Sequence, residues 1–340
     1  MSAHPDVPHM EFESVLRTSW HSELLVYRGL RNYRSVQKGH TYVARVWDRK
    51  GLADVERDRI VELLGEMAAH QRSSLLVQIH EALVDDHGRL VVVQDHVPLG
   101  SFRRHYRGFR WTVAEVVRFG VQLTGALSVL HRYTAHRRVE PSSVLLREVG
   151  DPDRFTCVPV LGGLEVAEVD DSAGLGLWRS RWASPAVRSG DGAGGRRDDL
   201  YSVAALMCSA LTGDKPPSSA AHLPDTLRPD VPSSLMQVLR YAMEPPRPLE
   251  NVTADMLLER LWKVERDLGN SPTPVDRPGP APDFSTRSGS SDDDQWSAGG
   301  PRPVRIIEPP TGPQPGRAVP VSPGDPPGGP FPTIGSRPAQ

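Results

Sequence analysis

Proline is distributed very unevenly along this chain of 340 residues, and its distribution limits how much of the chain can fold. Residues 271–340 contain 18 prolines and 10 glycines, whereas the first 270 residues contain 15 prolines and 20 glycines. A segment so rich in both residues and without a repeat period is typical of disorder, because it buries too little apolar surface to offset its ordering entropy. We therefore predict a folded region that ends at residue 268 and a disordered tail over residues 269–340.

The remaining composition excludes several classes of protein. The formal net charge is −2, from 40 basic and 42 acidic residues, which argues against a nucleic-acid or membrane-surface binder. Two cysteines, Cys157 and Cys208, are too few for a disulfide framework or a cysteine-based zinc site. The most apolar stretch, residues 203–211, is about half the roughly 20 residues that a membrane span needs. We expect a cytoplasmic protein with no membrane span, no nucleic-acid partner and no metal.

The pattern of the folded region changes near its middle. Short runs of β-branched and aromatic residues dominate residues 22–97 and are interrupted by one helical pattern over about 54–70. Residues 98–268 carry long apolar patterns of helical period. This order predicts an α+β protein with a strand-rich N-lobe at 22–97 and a helical C-lobe at 98–268, preceded by an N-terminal arm at 1–21.

Seven short segments of this region resemble, in order, the motifs of bacterial Ser/Thr protein kinases. They are YVARV at 42–46, VVVQDHV at 91–97, LSVLH at 127–131, HRRVEPSSVLL at 136–146, RWASPA at 181–186, DDLYS at 198–202 with LTG at 211–213, and PRP at 246–248. Each segment is weak alone, but seven in the correct order form a specific combination. The resemblance covers about residues 22–268 and implies the two-lobed protein-kinase fold.

The resemblance also assigns the positions that hold nucleotide in that family. The Gly-rich phosphate cradle would correspond to residues 26–33, which contain one glycine and no G-x-G-x-x-G motif. The third-strand lysine becomes Arg45, which keeps the charge but presents a planar fork. Its partner on the N-lobe helix would be Glu62 or Glu66, unless both glutamates face solvent. The other positions of this vestigial nucleotide cleft would be Ala44, Asp95 and Val97.

Four positions that carry chemistry in the family are changed here. Arg138 stands where the family has its catalytic aspartate, and a guanidinium has no lone pair with which to accept a proton. Glu140 replaces a lysine, and Ser143 replaces the magnesium-binding asparagine. Leu161 replaces the aspartate of the D-F-G motif, and leucine cannot coordinate magnesium. We therefore predict no catalytic residues and no metal ligands.

Three motif residues are kept, and we predict structural roles for them. The resemblance implies that Asp199 holds the backbone of the catalytic loop and that His136 is a core residue. We expect Arg137 or Arg138 to pair with an acidic residue of the segment 164–184, and we expect Asp198 to be exposed. In the tail, Ser271, Thr273 and Ser322 each precede a proline and are candidate phosphorylation sites.

These positions favour a catalytically inactive protein-kinase-like protein, a pseudokinase. Its predicted role is that of a scaffold or allosteric regulator in signalling, with a protein partner such as an active kinase or a phosphoprotein and with no cofactor. Two alternatives stay open: a divergent Ser/Thr protein kinase that uses ATP and magnesium, and a sensor that binds nucleotide without phosphoryl transfer.

Overall fold

The computed structural model describes residues 4–18, 22–47, 52–70, 73–104, 111–148, 157–172, 180–192, 194–244, 252–270, 273 and 275. The prediction of a disordered tail lies outside these residues from position 276 onward. Within them, a strand-rich N-lobe is followed by a helical C-lobe, as the sequence predicts.

Five antiparallel strands form the sheet of the N-lobe in the spatial order β1-β2-β3-β5-β4. Their bounds are β1 Met10–Thr18, β2 Ser22–Gly29, β3 Thr41–Trp47, β4 Ile79–Val84 and β5 Leu90–Asp95. β3 and β5 lie in the centre and are rich in valine, a residue whose branched side chain packs well on a pleated surface. The sheet is therefore held by a continuous apolar centre.

Strand β1 lies within the predicted N-terminal arm, so the N-lobe sheet begins at Met10 rather than at Ser22. It is an edge strand with two irregularities in its pairing to β2, and most of its side chains are exposed. The position of β1 also corrects the placement of the phosphate cradle. Residues 26–29 belong to β2, and the connection between β1 and β2 spans residues 19–21, which include no glycine.

One helix, α1 (Asp54–His70), packs on β4 and fills the inner side of the N-lobe. Ile60, Leu64 and Met67 are buried and lie at helical spacing, as the apolar pattern predicts. Residues 73–78 then lead from α1 to β4 and make contacts with the C-lobe that are described below.

The C-lobe is built around α2 (Val113–Leu130), which packs against two later helices. The chain continues through β6 Val144–Glu148, β7 Cys157–Leu161, α3 Leu164–Ser172, α4 Pro185–Ser189, α5 Arg196–Thr212, α6 Ser233–Met243 and α7 Ala254–Asp267. A capping box between Thr112 and Glu115 starts α2. A Cβ atom at Gly120 would stand 2.5 Å from the Met207 sulfur, so glycine allows α2 and α5 to approach closely.

Helix α2 is long and apolar enough to cross a membrane, although 78% of that stretch is buried inside the protein. Helix α2 is longer than the apolar segment 203–211 that the sequence analysis considered for a membrane span. Burial of this kind is what the core helix of a folded lobe shows, so length and composition here are weak support for a membrane span.

The ordered part of the C-lobe extends beyond the predicted boundary at residue 268. Thr273 is buried against α7, and Val275 packs against the main hydrophobic core. The composition of residues 269–340 therefore places the start of the tail too early.

Candidate functional site

Asp199 organises the loop that would carry catalysis in the related family. It lies in the first turn of α5 and is 1% exposed. Its carboxylate accepts hydrogen bonds from the backbone amides of His136 and Arg137, both at 2.7 Å, and contacts Nε2 of His131 at 2.9 Å. The loop from residue 131 to residue 137 is therefore fixed by one buried carboxylate.

His136 is buried beneath this loop. Its Nε2 lies 3.0 Å from the carbonyl oxygen of Gly162, and the backbone amide of Arg138 donates to its Nδ1 at 3.1 Å. Both contacts are satisfied by the neutral tautomer that carries its proton on Nε2. Burial lowers the pKa of His136, and the nearby carboxylate of Asp199 offsets part of that effect. The ring is thus a neutral structural link between the loop and Gly162.

Arg138 forms an ion pair with Glu140, which lies two residues later in the same loop. Its Nε lies 3.2 Å from Oε1 of Glu140, and Ser142 Oγ donates to the same oxygen at 2.5 Å. The two replaced charges therefore pair with each other. The site presents a guanidinium–carboxylate pair where the resemblance expects a free carboxylate.

The hydroxyl of Ser143 forms hydrogen bonds with the backbone of its own loop. Its Oγ accepts from the amide of Glu140 at 3.0 Å and lies 2.8 Å from the carbonyl oxygen of Arg138. A hydroxyl has one proton and two lone pairs, so these contacts take up most of its bonding capacity. It is poorly placed to serve as a metal ligand.

Leu161 ends β7 and is 2% exposed. Its amide donates to the carbonyl oxygen of Leu75 at 2.8 Å, and its carbonyl oxygen accepts from the amide of Val77 at 2.9 Å. The backbone of the N-lobe connection therefore pairs with both sides of this residue. Its side chain belongs to the core cluster that joins the two lobes.

The residues at these positions do not fit a magnesium ion. Magnesium takes carboxylate and other oxygen ligands, whereas Leu161 offers none and Ser143 is engaged by the loop. Among the described residues, no group of three or more His, Cys, Asp or Glu side chains could hold a metal ion.

Gly162 follows Leu161 and is closely surrounded. A Cβ atom at this position would stand 2.7 Å from Cγ2 of Val77. A small cavity of about 20 Å³ lies beside it between α1, β5 and α3. Its lining includes Met67, Gln94, Leu161 and Glu165.

Helix α3 brings two buried carboxylates between the lobes. Glu165 and Glu168 are 1% and 0% exposed. Glu165 Oε1 lies 3.2 Å from Nε of Arg45, and Glu168 Oε2 lies 3.2 Å from Nη2 of Arg59 on α1. Glu168 also forms an ion pair with Arg137 of the loop. We call these five residues the α3 charge cluster; it links β3, α1, α3 and the loop.

The α3 charge cluster corrects the expected partner of Arg45. Among the residues that the structure describes, the ion-pair partner of Arg45 is Glu165, and not Glu62 or Glu66. Glu62 is exposed on α1, and Glu66 is half-buried with contacts of its own. For Arg137, the structure supplies Glu168 as the acidic partner in the segment 164–184.

The remaining residues of the predicted cleft lie nearby but have separate neighbours. Ala44 is fully buried opposite Val93 in the sheet. The Asp95 carboxylate lies 2.7 Å from Nε2 of His80. Val97 belongs to a small apolar cluster with Val77 and Val160.

Asp198 is not exposed, contrary to the sequence-based expectation. Its Oδ2 accepts from the amide of Gly195 at 2.8 Å, and its Oδ1 accepts from the hydroxyl of Ser184 at 2.5 Å. It therefore satisfies the N-cap amide at the start of α5 and ties that helix to the start of α4.

The sequence interpretation missed Arg59 and did not single out Glu165 and Glu168 from their neighbouring acids. One signal was present, because the two glutamates are three residues apart and the first of them lies two residues after a Gly-Gly pair. That spacing places them on one face of a helix.

Comparisons with known proteins agree with this geometry. The serine/threonine-protein kinase PknK of Mycobacterium tuberculosis is 28% identical to the chain over 250 residues. The match covers 66% of this chain and 22% of PknK, so the chain spans only about a fifth of that relative. PknK of Mycobacterium bovis matches over the same extent. No family model matches the chain.

The solved structures show the fold. The kinase domain of PknI from Mycobacterium tuberculosis, crystallised as a single mutant, superposes with a TM-score of 0.57 at 20% identity. It covers 78% of this chain and all of the PknI chain. A double mutant of the same kinase domain gives the same TM-score at 19% identity. The chain has the two-lobed protein-kinase fold, and its named relatives are bacterial serine/threonine-protein kinases.

Proposed function

We propose that this chain is a pseudokinase, which uses the protein-kinase fold to bind other proteins without transferring phosphate. The observation that carries the proposal is the ion pair between Arg138 and Glu140. It occupies the position at which the related family orients the substrate hydroxyl with a carboxylate. An arginine that is already paired can neither accept nor orient that proton.

The expected loss of catalytic rate is large enough to support this proposal. Removal of one preorganised electrostatic group costs about 3 kcal/mol, or roughly a hundredfold in rate. Here the loop carboxylate and the magnesium ligands are both replaced, at Arg138, Ser143 and Leu161. Such losses are not additive. Loss of two such groups together would still lower the turnover of a kinase, which is of order 1–100 per second, by several orders of magnitude.

The alternative functions gain less support from the described residues. A divergent kinase would need a substitute carboxylate, and Glu140 is engaged by Arg138 and Ser142. A nucleotide sensor would need a free cation for the phosphates, and Arg45 is engaged by buried Glu165. In either case an existing ion pair must break before the ligand can bind.

A protein-binding role is favoured by the ion pair that joins α3 to the loop carrying Arg137. In the α3 charge cluster, Glu168 supplies the negative charge for Arg137 without any added phosphate. We infer that the surface around α3 keeps one form, which suits a scaffold or an allosteric regulator in signalling. The proposed partner is a protein, either an active kinase or a phosphoprotein, and the proposed location is the cytoplasm.

A thermal-shift titration with ATP, with and without magnesium, tests the nucleotide part of the proposal. A ligand at about a hundred times its Kd stabilises by about 2.7 kcal/mol, which raises the melting temperature by several degrees. We expect no magnesium-dependent rise at millimolar ATP. A clear rise would favour the sensor.

Radiolabel transfer to a general protein substrate tests the catalytic part. We expect no transfer by the purified chain or by Arg138→Asp, because Leu161 and Ser143 still leave magnesium without ligands. The triple variant Arg138→Asp, Ser143→Asn, Leu161→Asp serves as the gain-of-function comparison. Transfer by the wild-type chain that Arg138→Ala abolishes would overturn the proposal.

A further inference from the structure

The chain beyond α7 turns back and binds the C-lobe through one buried carboxylate. Glu265 of α7 is 1% exposed, and its Oε2 accepts the backbone amide of Thr273 at 2.7 Å. Its Oε1 accepts the hydroxyl of Thr273, and the indole of Trp262 donates to the Thr273 carbonyl oxygen at 3.1 Å. Arg118 lies farther from this carboxylate, with its Nε 3.9 Å from Glu265 Oε1. We call Thr273 and Val275 the strap.

The strap reaches the connection between the lobes. A Cβ atom at Gly125 of α2 would stand 2.9 Å from the Val275 side chain and 3.4 Å from Leu75. The side chains of Val275 and Leu75 thus both pack against Gly125. They can do so because residue 125 has no side chain. Leu75 in turn accepts the amide of Leu161 through its carbonyl oxygen. A short physical path therefore runs from Thr273 to the candidate site.

We propose that Thr273 is a phosphorylation site whose modification releases this strap from the C-lobe. Thr273 precedes Pro274, so a proline-directed serine/threonine kinase is the class of enzyme that would act on it. In the reaction the γ-phosphorus of ATP bonds to Thr273 Oγ1 and its bond to the β,γ-bridging oxygen breaks. ADP leaves, and the hydroxyl proton passes to a base of the modifying kinase.

The release follows from the chemistry of the contact. The hydroxyl of Thr273 is a donor to Glu265, whereas a phosphate carries a charge near −2 and donates nothing to a carboxylate. Two anions would then face each other at a position that is 8% exposed. The strap is displaced, Val275 leaves the spot above Gly125, and Leu75 becomes accessible.

This proposal is independent of whether the chain binds nucleotide, since it concerns a surface on α2 and α7. The first test is hydrogen exchange in the full chain with Thr273→Glu. We expect faster exchange in the peptides that cover residues 74–77 and 262–270, with α5 unchanged. Ser322→Glu, which adds the same charge before another proline, is the matched control. Thr273→Val, which keeps the side-chain shape and the amide bond, should show a smaller increase.

The second test measures modification directly with ATP and a purified proline-directed kinase, followed by peptide mass spectrometry. Gly125→Ala places a methyl group against Val275, so we expect Thr273 to be phosphorylated severalfold faster than in the wild type. Gly65→Ala adds a methyl group to α1 in open space and should leave the rate unchanged.

Each outcome decides one part of the proposal. Exchange in Thr273→Glu that matches Ser322→Glu would show that the charge does not release the strap. Equal rates in Gly125→Ala and the wild type would show that the strap does not shield Thr273. Absence of phosphate at Thr273 in both proteins would overturn the assignment of the modification site.

Discussion

Glu165 binds Arg45 across a separation of 120 residues, with 3.2 Å between Oε1 and Nε. The contact joins the central strand of the N-lobe to the first turn of α3, directly after the Gly162-Gly163 pair. Arg45 is thereby committed to a carboxylate of its own chain.

Loss of the Glu165 carboxylate should destabilise the protein strongly. Glu165→Ala leaves Arg45, whose side chain is 21% exposed, without its buried partner. Breaking a buried ion pair from one side costs about 3 kcal/mol. Urea unfolding of this variant and of Glu62→Ala gives the comparison, since exposed Glu62 should cost less than about 0.5 kcal/mol. Equal costs would mean that the pair contributes no net stability.

Substitution of Asp199 should lower the free energy of unfolding more than substitution of Asp198, although both side chains have structural roles. Asp199→Ala removes the acceptor for two backbone amides and His131, and should cost about 3 kcal/mol. Asp198→Ala removes a capping contact to Gly195 and a contact to Ser184, and should cost about 1 kcal/mol. Chemical denaturation measures both. A larger cost at Asp198 would contradict the central role given to Asp199.

Acidification should destabilise the protein through His136. Burial lowers the pKa of this residue from its usual 6.5, so below that pH the unfolded chain binds a proton that the folded chain excludes. The stability that neutral His136 contributes is complete above pH 6.5 and is lost below it, by up to about 1.4 kcal/mol per pH unit. The melting temperature between pH 7 and pH 5 should fall less in His136→Gln.

Replacement of Gly162 by any larger residue should destabilise the protein. Gly162→Ala forces a methyl group to 2.7 Å from Val77, and overpacking of this kind costs about 2 kcal/mol. Gly65→Ala has open space within a helix and should be neutral or stabilise by up to about 1 kcal/mol. The two melting temperatures should therefore move in different directions. A tolerated Gly162→Phe would show that the close contact with Val77 relaxes freely.

The sequence was sufficient for the order of the two lobes, because periodic apolar patterns and ordered motifs report directly on local structure. It was insufficient for β1, since an edge strand with most side chains exposed lacks the alternation that marks a half-buried strand. The phosphate cradle was placed one strand too late for the same reason.

Long-range pairs were beyond prediction from the sequence pattern. Arg45 has two glutamates at plausible positions on α1, and only the packing of α3 decides in favour of Glu165. The docking of Thr273 was hidden for a different reason. Proline content describes the average of the tail, whereas the strap depends on one carboxylate, one indole and one missing side chain.

The two backbone bonds of Leu161 have a mechanical consequence. Leu75 and Val77 of the N-lobe form backbone hydrogen bonds with Leu161, and β6 of the C-lobe pairs with it in the sheet. Leu161 is therefore bonded to both lobes. A segment held in this way cannot swing while the lobes stay still. Rotation of one lobe against the other must therefore displace Leu161, and with it Val144, which directly follows the loop that carries Arg138.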